Sequence, residues 1–96
     1  MIRVLWSRQA VEDVEAIKFY ISRDSVRYAQ LVAERIVEAV DRLTIFPQSG
    51  RIVPEVGDET IREVIFGNYR IVYRISDVGI EILTVFHASR FFRLPG

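Results

Sequence analysis

The 96 residues contain no cysteine, one histidine and one lysine, and their 13 cations and 13 acids cancel to a formal net charge of zero. Each shortage excludes something. Without cysteine there is neither a disulfide framework nor a thiolate metal site, and a lone imidazole, His87, argues against a histidine-rich zinc centre. The fold must stand on packing alone. A balanced charge is unlike a protein that coats nucleic acid nonspecifically, because phosphate neutralisation draws on an excess of Lys and Arg. Nowhere do about 18 apolar residues run uninterrupted, and Arg3 already brings charge to the N-terminus, so the expectation is neither signal peptide nor membrane span and a cytoplasmic location. No cluster implies a metal or an organic cofactor.

What is present is an apolar half, 50% of the residues. At this length the chain reads as a single domain over residues 1–96 with one modest core. Twelve of the thirteen cations are arginine. Its planar fork contacts phosphate or carboxylate through two parallel bonds, although a high genomic GC content would produce the same bias. Residues 1–59 hold eight cations against ten acids and residues 60–96 hold five against three, so the second part is slightly positive.

Ile2 to Trp6 is a short apolar run suited to a strand, and Ser7 after it is a helix N-cap candidate. A helix is expected from there to about Arg23: Ala10, Val14, Ile17 and Ile21 recur at spacings of three and four. Glu12, Asp13, Glu15 and Lys18 cover the remaining surface, with the acids suiting the helix dipole. Asp24-Ser25 breaks the pattern and caps a second helix, whose stripe is Ala29, Val32, Ala33, Ile36, Val40 and Leu43. Phe46-Pro47 ends it, since proline disfavours helical geometry in the residue before it. Pro47 to Gly50 is turn chemistry, and Arg51 to Thr60, with Pro54 and Gly57, reads as a surface loop. Strands follow at Ile61 to Phe66, Tyr69 to Ser76 and Ile80 to Phe86, the last apolar on both faces apart from Glu81 and so suited to a central position. The order β-α-α-β-β-β predicts a two-layer α+β domain, with an antiparallel helical hairpin on one face of a largely antiparallel sheet.

The last two strands carry cations where strands usually carry packing residues: Arg70 and Arg74 on the first, and His87 with Arg90 closing the second. Such a set suggests an anion-binding surface. Register decides whether it is one. A two-residue turn at Val78-Gly79 sets Arg70 opposite His87, with Arg74 and Glu81 on the same face; a three-residue loop with a bulge at Gly79 moves His87 to the face of Tyr69 and Ile71. The plainer alternatives are that Arg70 pairs with Glu63 or Glu81 across the sheet, that His87 closes a strand bonded to backbone, and that Tyr69 and Tyr73 are core.

Val4-Leu5-Trp6-Ser7, the helical hairpin, Phe46-Pro47-Gln48-Ser49-Gly50-Arg51-Ile52-Val53-Pro54-Glu55, Ile61-Arg62-Glu63, Gly67-Asn68-Tyr69-Arg70-Ile71-Val72-Tyr73-Arg74 and Val85-Phe86-His87 with Arg90, in this order, resemble the RelE/ParE toxins of bacterial type II toxin–antitoxin systems. The resemblance spans nearly the whole chain. It implies a growth-inhibiting toxin held inactive by a cognate antitoxin that wraps it with a helix and an extended segment. RelE-like members cleave mRNA on the ribosome, whereas ParE-like members of similar fold block DNA gyrase. Arg70 and Arg90 fall at the places of active-site arginines in the RelE-like pattern. The lysines that precede the first of these are missing, with Ile61 and Glu63 near their positions and Arg62 a partial substitute. The Phe86-His87 pair is more similar to ParE relatives, without the Met-Asp that often follows.

RNA cleavage by the neighbouring 2′-hydroxyl needs a proton acceptor, positive charge at the phosphorane-like transition state and an acid for the leaving oxygen. Arg70 and Arg90 are the candidates for the charge and His87 for proton transfer, with Arg62 and Arg74 as RNA-binding, phosphate-positioning groups. The first expectation is therefore a ribosome-dependent mRNA endoribonuclease; the alternative is a non-enzymatic gyrase inhibitor acting through the helical hairpin and C-terminal segment. A decayed or solely regulatory toxin is the third. The tail Phe91-Phe92-Arg93-Leu94-Pro95-Gly96, with three large apolar residues in six, is expected to fold over the sheet edge or to meet a partner.

Overall fold

The computed structural model describes residues 2–90; the expectation for the tail from Phe91 lies outside them. Strand β1 (Val4–Trp6) leads into helix α1 (Arg8–Ser22) and helix α2 (Val26–Asp41), followed by β2 (Arg51–Ile52), β3 (Ile61–Phe66), β4 (Tyr69–Ser76) and β5 (Gly79–His87). The five strands form one sheet in the order β1-β5-β4-β3-β2, antiparallel except for the β1–β5 pair, with the two helices on one face. This is the expected α+β architecture with one strand added. The loop predicted from Arg51 to Thr60 begins as β2, because Arg51 and Ile52 pair with Glu63 and Arg62 before Pro54 turns the chain away.

Both helices start where a serine can serve an orphan N–H. Ser7 Oγ accepts from Ala10 N–H at 3.0 Å and Ser25 Oγ accepts from Tyr28 N–H at 3.0 Å, caps worth about 1 kcal/mol each. The Ser7 hydroxyl also donates to the Leu83 carbonyl at 2.9 Å, which ties the start of α1 to β5. No acid sits in the first turn of α1, so the expected dipole pairing falls one turn too late. Helix α2 ends at Asp41, short of Phe46-Pro47, and tightens into a 3-10 turn over Arg42–Thr44. Tightening of this kind is common at helix C-termini, where carbonyls lack i+4 partners.

The main core lies between helices and sheet. Ile36, Val40 and Leu43 of the α2 region meet Ile71 and Tyr73 of β4 and Ile80, Ile82 and Val85 of β5, with Val14, Ile17 and Ile21 of α1 half-buried against them. Tyr73 is fully buried, yet its hydroxyl is satisfied: it donates to the Pro47 carbonyl at 2.7 Å and accepts from Gly50 N–H at 3.0 Å. Gly50 is required there, because a Cβ would stand 2.6 Å from that hydroxyl. On the opposite face a smaller apolar group, Val53, Ile61, Val72 and Leu83, packs with Val56 and Phe86.

Neither predicted turn joins β4 to β5. Asp77-Val78 is the turn, Ser76 pairs with Gly79, and the register slips later, between Val72 and Tyr73, where Leu83 is the additional residue on β5. Gly79 opens the strand at φ 142°, a region glycine adopts freely, and a Cβ there would meet the Arg3 carbonyl at 2.3 Å. Beyond the bulge Tyr69 pairs with His87 and Arg70 with Phe86. The bulge thus sends His87 to the helix side, the outcome expected of a bulge at Gly79 but produced four residues on. It falls where β1 ends: past Trp6 the edge of β5 is served by Asp13 of α1, which accepts from Val85 N–H at 3.0 Å and from the Thr84 hydroxyl. Asp13 is therefore not a solvated helix-surface acid.

Candidate functional site

The alternation of β4 puts Arg70, Val72 and Arg74 on the face away from the helices and Tyr69, Ile71 and Tyr73 beneath them. On that outer face Arg70 is bound on every nitrogen. Its Nε donates to Glu63 at 2.5 Å, and Nη1 and Nη2 donate to the two oxygens of Glu55 at 2.6 and 2.8 Å. The guanidinium carbon lies 5.2 Å from the centroid of the Phe86 ring. Glu63 is fully buried and accepts a second cation, Arg51 Nε, at 2.6 Å. The pairings follow from register: Glu63 lies opposite Arg51 on one side and Val72, two residues from Arg70, on the other. Glu55 arrives from the loop after β2.

The electrostatics are those of a closed cluster. The bidentate bond from Arg70 holds the Glu55 carboxyl down at about 2, against the modest opposition of burial. The same bond raises Arg70 above its ordinary value, with burial opposing and Glu63 assisting. A guanidinium in this state is charged at all accessible pH and serves as an electrostatic group, not as a proton donor.

The other predicted RNA contacts are also bonded within the protein. Arg62, on the helix side of β3, donates from Nη1 to the Gly50 carbonyl at 3.0 Å and from Nε to the Glu59 carbonyl at 3.1 Å. Arg74 is half-exposed on the outer face and pairs with Glu81 at 3.6 Å, a surface bridge of small energetic weight.

His87 and Arg90 occupy a different place. A groove of about 600 Å³ runs between α1 and the ends of β4 and β5, lined by Asp13, Tyr20, Arg23, Tyr69, His87 and Arg90, among others. The His87 ring meets Tyr69 edge-on at 5.6 Å between centroids. Its Nδ1 accepts from Ser89 N–H at 3.2 Å and contacts the Ser89 hydroxyl at 2.7 Å, which leaves the proton of the neutral ring on Nε2. The phenol of Tyr69 is pushed above its ordinary value, mainly by burial.

The five candidates thus fall into separate groups. His87 and Arg90 share the groove, Arg70 and Arg74 are on the reverse of the sheet, and Arg62 is at the far end of β3 from the Tyr69–His87 pair. Among the described residues no three His, Cys, Asp or Glu side chains converge on a point where a metal would sit. Sequence reasoning missed Glu55 as the chief partner of Arg70, and missed Tyr20 and Arg23 as groove walls. For Glu55 the available signal was an acid set between Val53 and Val56, the two loop residues that anchor on the outer face.

Comparisons with known proteins agree with this architecture. The family model described as the ParE toxin of the type II toxin–antitoxin system, parDE, matches residues 4–92. Toxin RelE2 of Caulobacter vibrioides is 35% identical over 91 residues, covering 94% of this chain and 99% of the relative. In fold the chain is similar to a protein in the solved structure titled "Chromosomal ParDE TA system from P. aeruginosa", with a TM-score of 0.77 and 23% identity over 93% of this chain and 98% of that one. No helix among the described residues is long and apolar enough to cross a membrane.

Proposed function

The chain belongs to the ParE toxin family of type II toxin–antitoxin systems, within the RelE/ParE superfamily, and from that premise we propose a growth-inhibiting toxin, restrained by a cognate antitoxin, that acts in the cytoplasm by binding DNA gyrase without cutting RNA. The observation that carries this reading is the state of Arg70. Cleavage by a 2′-hydroxyl needs the charge-stabilising cation and the proton-transfer group on one scissile phosphate. Arg70 is closed off by Glu55 and Glu63 on one face of the sheet, and His87 is on the other.

Binding a protein makes different demands, and these the helical hairpin meets. Phe19, Tyr20, Val26, Tyr28 and Leu31 are large apolar residues that it leaves exposed, 73% of Phe19 and 74% of Val26. Aromatic residues in such density are what protein interfaces favour. One surface of this kind serves an antitoxin while the toxin is restrained and a target once it is free.

A second reading, ribosome-dependent mRNA cleavage, is favoured by one observation: His87 and Arg90 line the same groove, where a proton-transfer group and a cation lie near each other. The two are separated by adding the purified toxin to a gyrase supercoiling assay and to an in vitro translation reaction. The gyrase reading expects supercoiling to stop at toxin concentrations near that of gyrase, with message intact. Message that is cut by the wild type and spared by His87→Ala and Arg90→Ala, with supercoiling unaffected, overturns it.

A further inference from the structure

Helix α2 carries two stripes. Ala29, Val32, Ile36 and Val40 are buried in the core. Gln30, Ala33 and Val37 each follow one of the first three of these by a single position, and they continue a line that starts at Val26. That second line is open: Val26 is 74% and Val37 44% exposed, with Ala33 half-buried between them. Two shallow grooves meet along it, with Gln30 and Glu34 lining both, a relief into which the side-chain ridges of another helix pack. The charges beside the line run against the helix dipole. Arg27 is in the first turn and Glu38 and Asp41 are in the last, with no acid in the first turn and no base in the last. Arg27 forms no ion pair among the described residues, while Glu38 has a long surface bridge to Arg35 at 4.0 Å.

We propose that this stripe is a self-association surface, on which α2 of a second copy packs antiparallel about a two-fold axis at the level of Leu31 and Val32. The order of charges selects this occupant. With that axis Val26 lies against Val37 of the second copy, and Gln30 against Ala33 of the second copy, so valines meet at both ends and a small residue leaves room for the longer amide. The same operation brings Arg27 beside Glu34 and Glu38 of the second copy, and symmetry repeats the contact at the other end. Each helix then receives near its N-terminus the acids that its own first turn lacks. A parallel pair would set Arg27 against Arg27. The stripe covers about three helical turns, less than a standard interface, so the dimer is weak and exchanges with the single chain. It shares only Val26 with the hairpin surface proposed for an antitoxin or a target, and it is compatible with a gyrase-binding toxin and with a nuclease alike.

The test is sedimentation velocity of the purified full chain over a dilution series, as wild type, as Arg27→Glu, as Glu34→Arg/Glu38→Arg, and as the two variants mixed. The wild type is expected to pass from monomer to dimer with a Kd on the order of 10 μM. Each variant alone sets like charges together at both ends of the contact, and its self-association is expected to weaken by roughly tenfold or more. In the mixture every facing pair is again of opposite sign, so a one-to-one dimer is expected to return near the wild-type Kd. Arg27→Glu and Glu38→Arg both bring charges into line with the dipole of their own helix, so the circular dichroism of each variant is expected to match the wild type. Should either variant lose its helical signal, Val37→Lys takes the place of the mixing arm, with a monomer expected and a dimer of wild-type Kd overturning the inference. A wild type that stays monomeric at about 200 μM overturns it and gives the stripe to a partner of other sequence. Association unchanged by Arg27→Glu, variants that do not recombine, or assembly beyond two copies each overturns it as well.

Discussion

The two faces of this sheet are held in different ways. Under the helices, Ile36, Leu43, Ile71 and Ile82 close a core whose attraction is non-directional and roughly proportional to area. On the outer face a small apolar group shares its space with a fully buried carboxylate and two arginines, held by bonds of 2.5 to 2.8 Å. An apolar core absorbs a volume-conserving change at small cost. An ion cluster is less tolerant, because removing its buried carboxylate leaves Arg70, whose side chain is 9% exposed, with fewer counter-charges around it. The difference also bears on function. The outer face directs its charges inward on one another, while the groove on the helix side presents His87, Arg90 and Tyr69 at an open rim.

Removing Glu63 is the hardest test of that contrast. Glu63→Ala breaks the bond to the buried Arg70 Nε and is expected to destabilise the fold by about 3–5 kcal/mol, the usual cost of breaking a buried ion pair. Ile71→Val, equally buried on the other face and a loss of one methylene, is expected to cost only about 0.5–1.5 kcal/mol. Urea unfolding followed by circular dichroism measures both. Equal losses would mean that the ionic cluster is not specially intolerant, and the distinction between the faces would fail.

Much of this division was legible in the residues, and what was not has a physical cause. The alternation along Tyr69 to Ser76, interrupted by Val72, and the three-and-four spacing of the helices depend on local chain geometry, so strands, helices and both serine caps follow from them. So does the placing of Arg70 and Arg74 on one face. The Arg70–Glu63 pair was among the open alternatives because it needs only the neighbouring strand. Glu55 was not, because its bond to Arg70 joins residues 15 apart through a loop whose path is set by the burial of Val53 on the outer face. The bulge at Leu83 escaped for a related reason. Leu83, Thr84 and Val85 are all buried, so hydropathy does not mark where the register slips; the deciding contacts come from Asp13, 72 residues before Val85.

A smaller effect probes Tyr73, a polar side chain set deep in the helix-side core. Tyr73→Phe keeps the ring and removes the hydroxyl, leaving the Gly50 N–H and the Pro47 carbonyl without that partner. A buried orphan of this kind costs about 1–3 kcal/mol. The loss is expected as a lower urea midpoint with the slope of the transition unchanged, and it sharpens the comparison: the apolar face too has a directional anchor, and its removal is expected to cost less than that of Glu63. A loss as large as that of Glu63→Ala would show that the core depends on hydrogen bonding as strongly as the outer face depends on charge.

The smallest expected effect is the most diagnostic, because it varies with pH on one face only. Glu55 is held at about 2 in the folded chain against 4.5 for the free group. A carboxyl lowered by folding contributes stability that is fully present above its unfolded value and is lost as the pH falls through its folded value. Stability should therefore decline as the pH is lowered from about 4.5 towards 2. The decline should be modest, since more than a third of the Glu55 side chain is open to water, which screens the pair. Asp58, lowered by its bonds from Thr60, adds a fall of the same sign, so Glu55→Gln should flatten the acid limb without abolishing it. Tyr73→Phe should lower the curve and leave its shape intact, because the helix-side core near Tyr73 gains no proton in this range. Urea midpoints taken at intervals across that window decide it: an acid limb with the same slope in Glu55→Gln as in wild type would mean that the Arg70–Glu55 bond does not stabilise the fold, and the outer face would rest on Glu63 alone.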